Sequence, residues 1–73
     1  MAVTKKQRNE IRRRLPHGSI SRIVESSRRS RMTVNNWFRG SQSLEVEVAV
    51  LKELERVTRL QQEVDSKAKE LLD

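Results

Sequence analysis

Arginine and asparagine side chains, which both form paired hydrogen bonds, are concentrated in one short stretch of the sequence. Arg forms two hydrogen bonds with the edge of guanine, and Asn forms two with the edge of adenine. Asn is also a poor helix former, so two in tandem do not favour a helix on stability grounds. The stretch therefore predicts a surface that reads base edges of duplex DNA, made of Arg31, Met32, Asn35, Asn36 and Arg39.

Hydroxyl and guanidinium groups before and within this stretch suit phosphate oxygens. Ser19 is predicted to cap a helix whose first N–H groups face a phosphate, and Arg22 is placed to clamp the same phosphate run. Ordinary capping and solvation by water is the alternative for these two residues. The complete predicted phosphate set is Ser19, Arg22, Arg28, Arg29, Ser30 and Thr33.

The charge is divided between the two halves of the chain. Residues 1–40 hold eleven Lys or Arg and two Glu, a net charge of +9, whereas residues 41–73 hold five basic and eight acidic residues, a net charge of −3. A surface that only keeps the protein in solution does not require its basic and acidic residues to lie in different halves of the chain. The first half is therefore expected to bind a polyanion.

Enzyme chemistry has no candidate residues here. The sequence has no Cys or Tyr and a single His, which lies in the turn Pro16-His17-Gly18. With two glycines, Gly18 and Gly40, it has no phosphate-binding or dinucleotide-binding loop. We therefore expect no catalytic residue, no metal site and no cofactor.

Apolar spacing predicts that the scaffold is made only of helices. The first spans about 4–15, with Thr4 and Gln7 as a capping box and Pro16 after its end. The second spans about 19–26, and the third about 31–39, between the predicted N-cap Ser30 and a left-handed Gly40. The predicted core residues are Ile11, Leu15, Ile20, Ile23, Val24, Val34, Trp37, Phe38, Leu44, Val48 and Leu51.

The last part of the chain, residues 44–73, is predicted to form one long helix because it has neither Pro nor Gly. Its first part is apolar nearly all round, and its second part narrows to a seam with 3–4 spacing that predicts pairing of two chains. The alternative is that the tail folds back as a fifth helix. The predicted pairing residues are Val50, Leu54, Val57, Gln61, Val64, Ala68 and Leu71.

Two helices joined by a short polar turn form the outline of a helix-turn-helix. The run from Ser30 to Val34 resembles the corresponding run in small bacterial and phage regulators of the Cro, repressor and resolvase kind. Anchored on Val24, the motif positions at four, ten and thirteen residues further on are Arg28, Val34 and Trp37. These families place a Gly with positive φ where Arg28 stands, and positive φ costs an ordinary residue ~1–2 kcal/mol. We therefore expect a longer or differently shaped turn.

The run from Val34 to Phe38 also resembles the centre of homeodomain recognition helices. Homeodomains place an adenine-reading Asn three positions after the Trp, and that position here is Gly40. The resemblance therefore implies only a shared geometry, in which a buried Trp-Phe pair holds a helix over a groove.

Together these features predict an all-α fold with a three-helix DNA-binding region, residues 1–43, and a long dimerising helix, residues 44–73. The expected partners are double-stranded DNA and a second copy of the chain. A transcriptional regulator of bacterial or phage type is the leading interpretation. An accessory factor for recombination or excision and a module that binds RNA or protein are the alternatives. Without cysteine, secretion signal or long apolar run, the expected location is the cytoplasm and not a membrane.

Overall fold

The computed structural model describes residues 3–72, and these residues form four α-helices and no strand. The predicted all-α fold is therefore confirmed. The helices are α1 (Lys5–Arg14), α2 (Ser19–Ser27), α3 (Arg31–Phe38) and α4 (Leu44–Leu72).

Local side-chain hydrogen bonds explain where α1 and α3 begin. Before α1, the Thr4 hydroxyl accepts the Gln7 N–H at 3.1 Å while the Gln7 side chain accepts the Thr4 N–H at 2.9 Å. Before α3, the Ser30 hydroxyl accepts the Thr33 N–H at 3.1 Å. Both predicted caps are confirmed, and each satisfies an amide that helix geometry leaves without a partner.

The connection from α2 to α3 contains Arg28 in a left-handed conformation, with φ 58° and ψ 30°. Our expectation of a differently shaped turn rested on Arg28 avoiding positive φ, and that premise is wrong. The Ser27 hydroxyl accepts the Arg29 N–H at 3.3 Å. This bond and the packing of the flanking helices offset the strain of a left-handed arginine.

The core lies between the three short helices and the first half of α4. Trp37 and Phe38 meet edge to face with ring centroids 5.0 Å apart. Leu15, Ile20, Val24 and Leu54 pack around this core and are partly buried. The buried apolar residues are Ile11, Ile23, Val34, Trp37, Phe38, Val46, Ala49 and Val50.

Four apolar residues of α4 lie elsewhere than predicted. Leu44, Val48 and Leu51, expected in the core, are 75 %, 50 % and 42 % exposed, and Val50, expected in a dimer seam, is fully buried in the chain's own core. At 3.6 residues per turn, the first three lie on the side of α4 opposite the centre of its buried face, which is formed by Val46, Ala49, Val50 and Glu53. The short helices cover one side of α4, so only that side enters the core.

The second half of α4 extends away from the other helices. The helix continues without a break to Leu72, so the alternative of a fifth helix folding back is wrong. The described chain is 45 Å along its longest axis, which matches the ~43 Å length of a 29-residue helix. Every residue from 59 to 72 is exposed.

Candidate nucleic-acid interface

Helix α3 presents one polar face outward because its other face is anchored in the core. Val34, Trp37 and Phe38 are buried and hold the helix in place. The predicted base-reading residues lie on the remaining surface of the helix and its C-cap, with Arg31, Met32 and Arg39 exposed and Asn35 and Asn36 partly buried. The structure therefore brings the predicted base-reading residues together on one short helix.

Arg31 is joined to the preceding helix by a hydrogen bond. One of its terminal nitrogens donates to the Ser21 hydroxyl at 2.8 Å, and both residues are exposed. The bond holds the guanidinium against α2, at the start of α3. A ligand that offers two acceptors would have to replace this single hydrogen bond to a neutral hydroxyl.

The phosphate role predicted for Ser19 is wrong. Ser19 is the first residue of α2 and is buried, and its hydroxyl donates to a Glu53 carboxylate oxygen at 2.8 Å. The N-cap of α2 is Gly18, which has a positive φ of 93° and no side chain to cap with. Burial beneath α4 leaves the Ser19 hydroxyl unable to reach a nucleic acid.

Glu53 gathers three partners at one buried point of α4. Besides Ser19, its carboxylate accepts hydrogen bonds from Arg22 at 3.3 Å and from Arg56 at 2.8 and 3.0 Å. The Arg56 bonds, more than those of Ser19 and Arg22, lower the pKa of Glu53 from 4.5 to about 2, against the opposing effect of burial. Glu53 is therefore a buried carboxylate held by hydrogen bonds, and not a residue of the solvated face of α4.

The remaining predicted phosphate residues are on or near the surface, but several already have partners. Arg22 is partly exposed and keeps one nitrogen on Glu53. Arg29 forms an ion pair with Glu45 at 3.1 Å. The Glu45 backbone N–H, and then Arg29, lower the pKa of that exposed carboxyl. A phosphate near Arg29 would therefore compete with Glu45, whereas Arg28 is exposed in the turn.

The side chains of Ser30 and Thr33 are linked at the start of α3. Their hydroxyl oxygens lie 2.9 Å apart and share a hydrogen bond. The Ser30 oxygen also caps the helix, so its capacity to bind a phosphate is partly used.

Arg8 has a structural role that sequence reasoning missed. Its side chain is buried, and one guanidinium nitrogen donates to the backbone carbonyls of Trp37 at 2.6 Å and Ser41 at 2.8 Å. The guanidinium carbon also lies 4.4 Å from the centre of the Trp37 ring. Arg8 therefore ties α1 to the C-terminal end of α3, where carbonyls lack helical partners. The available signal was its position three residues before Ile11, on the same face of α1.

The residues predicted to pair two chains differ in accessibility along α4. Val50 is inside the core, and Leu54 and Val57 are partly buried. The remaining four are exposed, with Gln61 donating to Asp65 at 3.1 Å: Gln61, Val64, Ala68 and Leu71. A second chain can therefore contact this face only from about Val57 onward.

Comparison with known proteins returns no match among protein-family models, curated proteins or solved structures. No helix within residues 3–72 combines the length and the apolar character needed to cross a membrane.

Proposed function

We propose that this chain is a non-enzymatic, sequence-specific double-stranded DNA-binding protein that acts as a homodimer, as a transcriptional regulator of bacterial or phage type in the cytoplasm. In this proposal α2 and α3 form a helix-turn-helix and α3 is the reading helix. The observation that carries it is the face of α3, which presents two arginines and two asparagines outward from a rigid core anchor.

The connection between α2 and α3 supports this arrangement. Three residues separate the helices, Arg28 takes the left-handed conformation that a tight turn requires, and Ser30 caps the next helix. A short turn of fixed geometry holds one helix at a constant angle to the other. That rigidity is needed when a reading helix must enter a groove in one orientation.

Charge supports a polyanionic partner. The first forty residues carry a net charge of +9, and of their basic side chains Arg8 is buried. The exposed arginines before α3 can neutralise backbone phosphates, which gives affinity without sequence preference. Base contacts from Arg31, Asn35 and Asn36 then supply the preference.

Selection of bound sequences from a random duplex pool tests the proposal. We expect one sequence family to be enriched, with two-fold symmetry. Failure to bind duplex at low salt, or binding without enrichment, would refute sequence-specific recognition, and preferential binding of RNA would favour the RNA-binding alternative.

Single substitutions then separate base reading from phosphate contact. Asn36→Ala is expected to cost ~1–3 kcal/mol on the selected site and little on random duplex, because only the base contact is lost. Arg22→Ala is expected to weaken both, since a phosphate contact is independent of sequence. Arg59→Ala, an exposed arginine of α4 paired with Glu55, is the matched control and should change neither affinity. Equal losses on both duplexes for Asn36→Ala would show that α3 does not read bases.

A further inference from the structure

One apolar stripe of α4 begins inside the core and continues along the exposed half of the helix. Val50, Val57, Val64 and Leu71 are spaced by seven residues and therefore lie on nearly the same side of the helix. Val50 is fully buried, Val57 is partly buried, and Val64 and Leu71 are 61 % and 78 % exposed. One side of α4 is therefore covered by the three short helices in its first half. The same side is exposed in its second half.

The exposed half of α4 has little to stabilise it alone. Isolated helices shorter than ~12–15 residues are marginal in water, and residues 59–72 form a segment of about that length. Its ion pairs, Arg59 with Glu55 and Lys67 with Glu70, are exposed and contribute little. The segment propagates from the half of α4 that is held in the core, and a partner that covers the stripe would stabilise it further.

A groove runs along the stripe where α4 leaves the core. It consists of two adjoining depressions that share Arg14, Val57 and Gln61. The end of α1 and its following turn contribute Arg14 and Pro16, and α4 contributes apolar side chains, Leu54, Val57, Leu60 and Val64, together with polar ones such as Gln61. The groove is open toward the end of α4. It therefore fits a helix that lies alongside α4.

The position of the three short helices selects the direction of that helix if the partner is a second copy. They lie on the same side of α4 as the stripe, and packed helices are only ~8–10 Å apart. In a parallel pair, the first half of the partner's α4 would occupy the space that α1–α3 fill. In an antiparallel pair, that half lies on the far side of Leu72, away from the space that α1–α3 fill.

Charge favours the same direction. Residues 59–72 contain three basic and three acidic residues, so two such segments do not repel each other by net charge. The first forty residues carry +9 and repel their copies. An antiparallel pair centred near Val64 separates the two Val50 residues by ~42 Å, several times the Debye length of ~8 Å at physiological salt.

We propose that the exposed α4 segments of two copies pair antiparallel, so that the Leu71 end of each lies in the groove of the other beside Arg14 and Pro16. This rests on the homodimer of the proposed function, and on nothing about DNA. Stable interfaces bury ~1,200–2,000 Å². The walls of two grooves add contact area to a stripe that offers only about two heptads from Val57 to Leu71.

Cysteine cross-linking tests the direction, because the full chain has no cysteine of its own. The variants are Val57→Cys, Leu71→Cys and the exposed control Lys69→Cys, each treated with a short bismaleimide. In an antiparallel pair, Leu71 lies within about one helical turn of the partner's Val57 and more than ~20 Å from the partner's Leu71. We expect a mixture of Val57→Cys and Leu71→Cys to give mixed cross-linked dimers, and Leu71→Cys alone to give no more than Lys69→Cys.

Cross-linking of Leu71→Cys to itself above the control would overturn the proposal, since it requires a parallel pair. A full-length chain that sediments as a monomer at tens of micromolar would overturn it too. Circular dichroism checks that each variant is helical, and Leu60→Cys replaces Val57→Cys if the latter is not.

DNA binding is measured on the same proteins before cross-linking. A monomer that still selects a DNA sequence refutes only the pairing, and an antiparallel dimer without DNA affinity refutes only the DNA proposal.

Discussion

Arg8 and Glu53 are the charged side chains buried within residues 3–72, and each ties together segments that are far apart in the sequence. Arg8 reaches carbonyls 29 and 33 positions away, and Glu53 binds a serine 34 positions away. A buried charge with good partners contributes less to stability than its removal costs, because removal leaves the partner groups buried without hydrogen bonds. Both residues should therefore tolerate substitution poorly.

Glu53 predicts a specific dependence of stability on pH. Its pKa is lowered from 4.5 in the unfolded chain to about 2 in the fold. The stabilisation is therefore complete above pH ~4.5 and is lost as pH falls from there toward about 2. This stabilisation is on the order of 3 kcal/mol.

Thermal unfolding between pH 4.5 and pH 2 should show the loss. Glu53→Gln should reduce both the stability at pH 7 and the dependence of stability on pH in acid. Glu70→Gln, in the exposed tail, should leave the curve of the parent chain unchanged. A Glu53→Gln curve parallel to that of the parent would contradict this assignment.

At the scale of the elements, the turn between α2 and α3 and the exposed stripe of α4 carry the proposed function. The turn sets the angle of α3 with a left-handed arginine where glycine is free of strain. The stripe leaves the core at Val57 and continues to the end of α4. One element therefore stores backbone strain, and the other exposes apolar surface.

Arg28→Gly should relieve the strain of the turn. We expect a gain of ~1 kcal/mol in the free energy of unfolding, or about 4–8 °C in Tm for a domain of this size. Arg28→Ala is the matched control, because it removes the same side chain but retains Cβ and the strain. If the alanine variant gains as much stability as the glycine variant, the side chain and not the backbone is responsible.

Val64→Glu should separate the two copies without affecting the core. The substitution places a charge on the exposed stripe, where pairing would bury it without a partner. Val48→Glu, on the opposite side of α4, is the control and should remain dimeric. Sedimentation measures the oligomeric state, and titration of a symmetric DNA site should show a loss of orders of magnitude for Val64→Glu alone. Equal behaviour of the two variants would place the interface elsewhere.

At the scale of the whole molecule, the chain has a basic three-helix half and an exposed extension of α4, residues 59–72, with no net charge. The short helices and the first half of α4 share one core, so the extension is not a separate domain but the continuation of a core helix. Pairing two such extensions would place two basic surfaces in fixed relation. Two-fold symmetry of the pair then requires a two-fold symmetric DNA site.

The charge of the basic half predicts strong salt dependence. A dimer that makes ~6–10 phosphate contacts should lose about 10³-fold or more in affinity between 50 and 200 mM salt. Titration of labelled duplex at several salt concentrations gives the slope of log affinity against log salt concentration. Arg22→Ala should reduce this slope in proportion to the phosphate contacts that the dimer loses. A flat salt response would contradict the phosphate contacts altogether.

The predicted helix ends agree with the structure within one residue for the three short helices, and the caps at Thr4 and Ser30 are confirmed. The positive φ of Gly40 is confirmed as well. These features depend on hydrogen bonds and φ preferences within about four residues, so the local sequence determines them. The outward set on α3 was predictable for the same reason, because the spacing of Val34, Trp37 and Phe38 defines the opposite face.

Only the tertiary structure decided which side of α4 is buried and which polar groups join the core. The helix is apolar on several sides at its start, so spacing alone could not choose between Val50 and Val48. Arg8, Ser19 and Glu53 are residue types that usually lie on a solvated surface, and packing of distant helices buries them. Their partners are about thirty residues away. Each pair joins two helices that are distant in the sequence, and the sequence around one member does not specify the other.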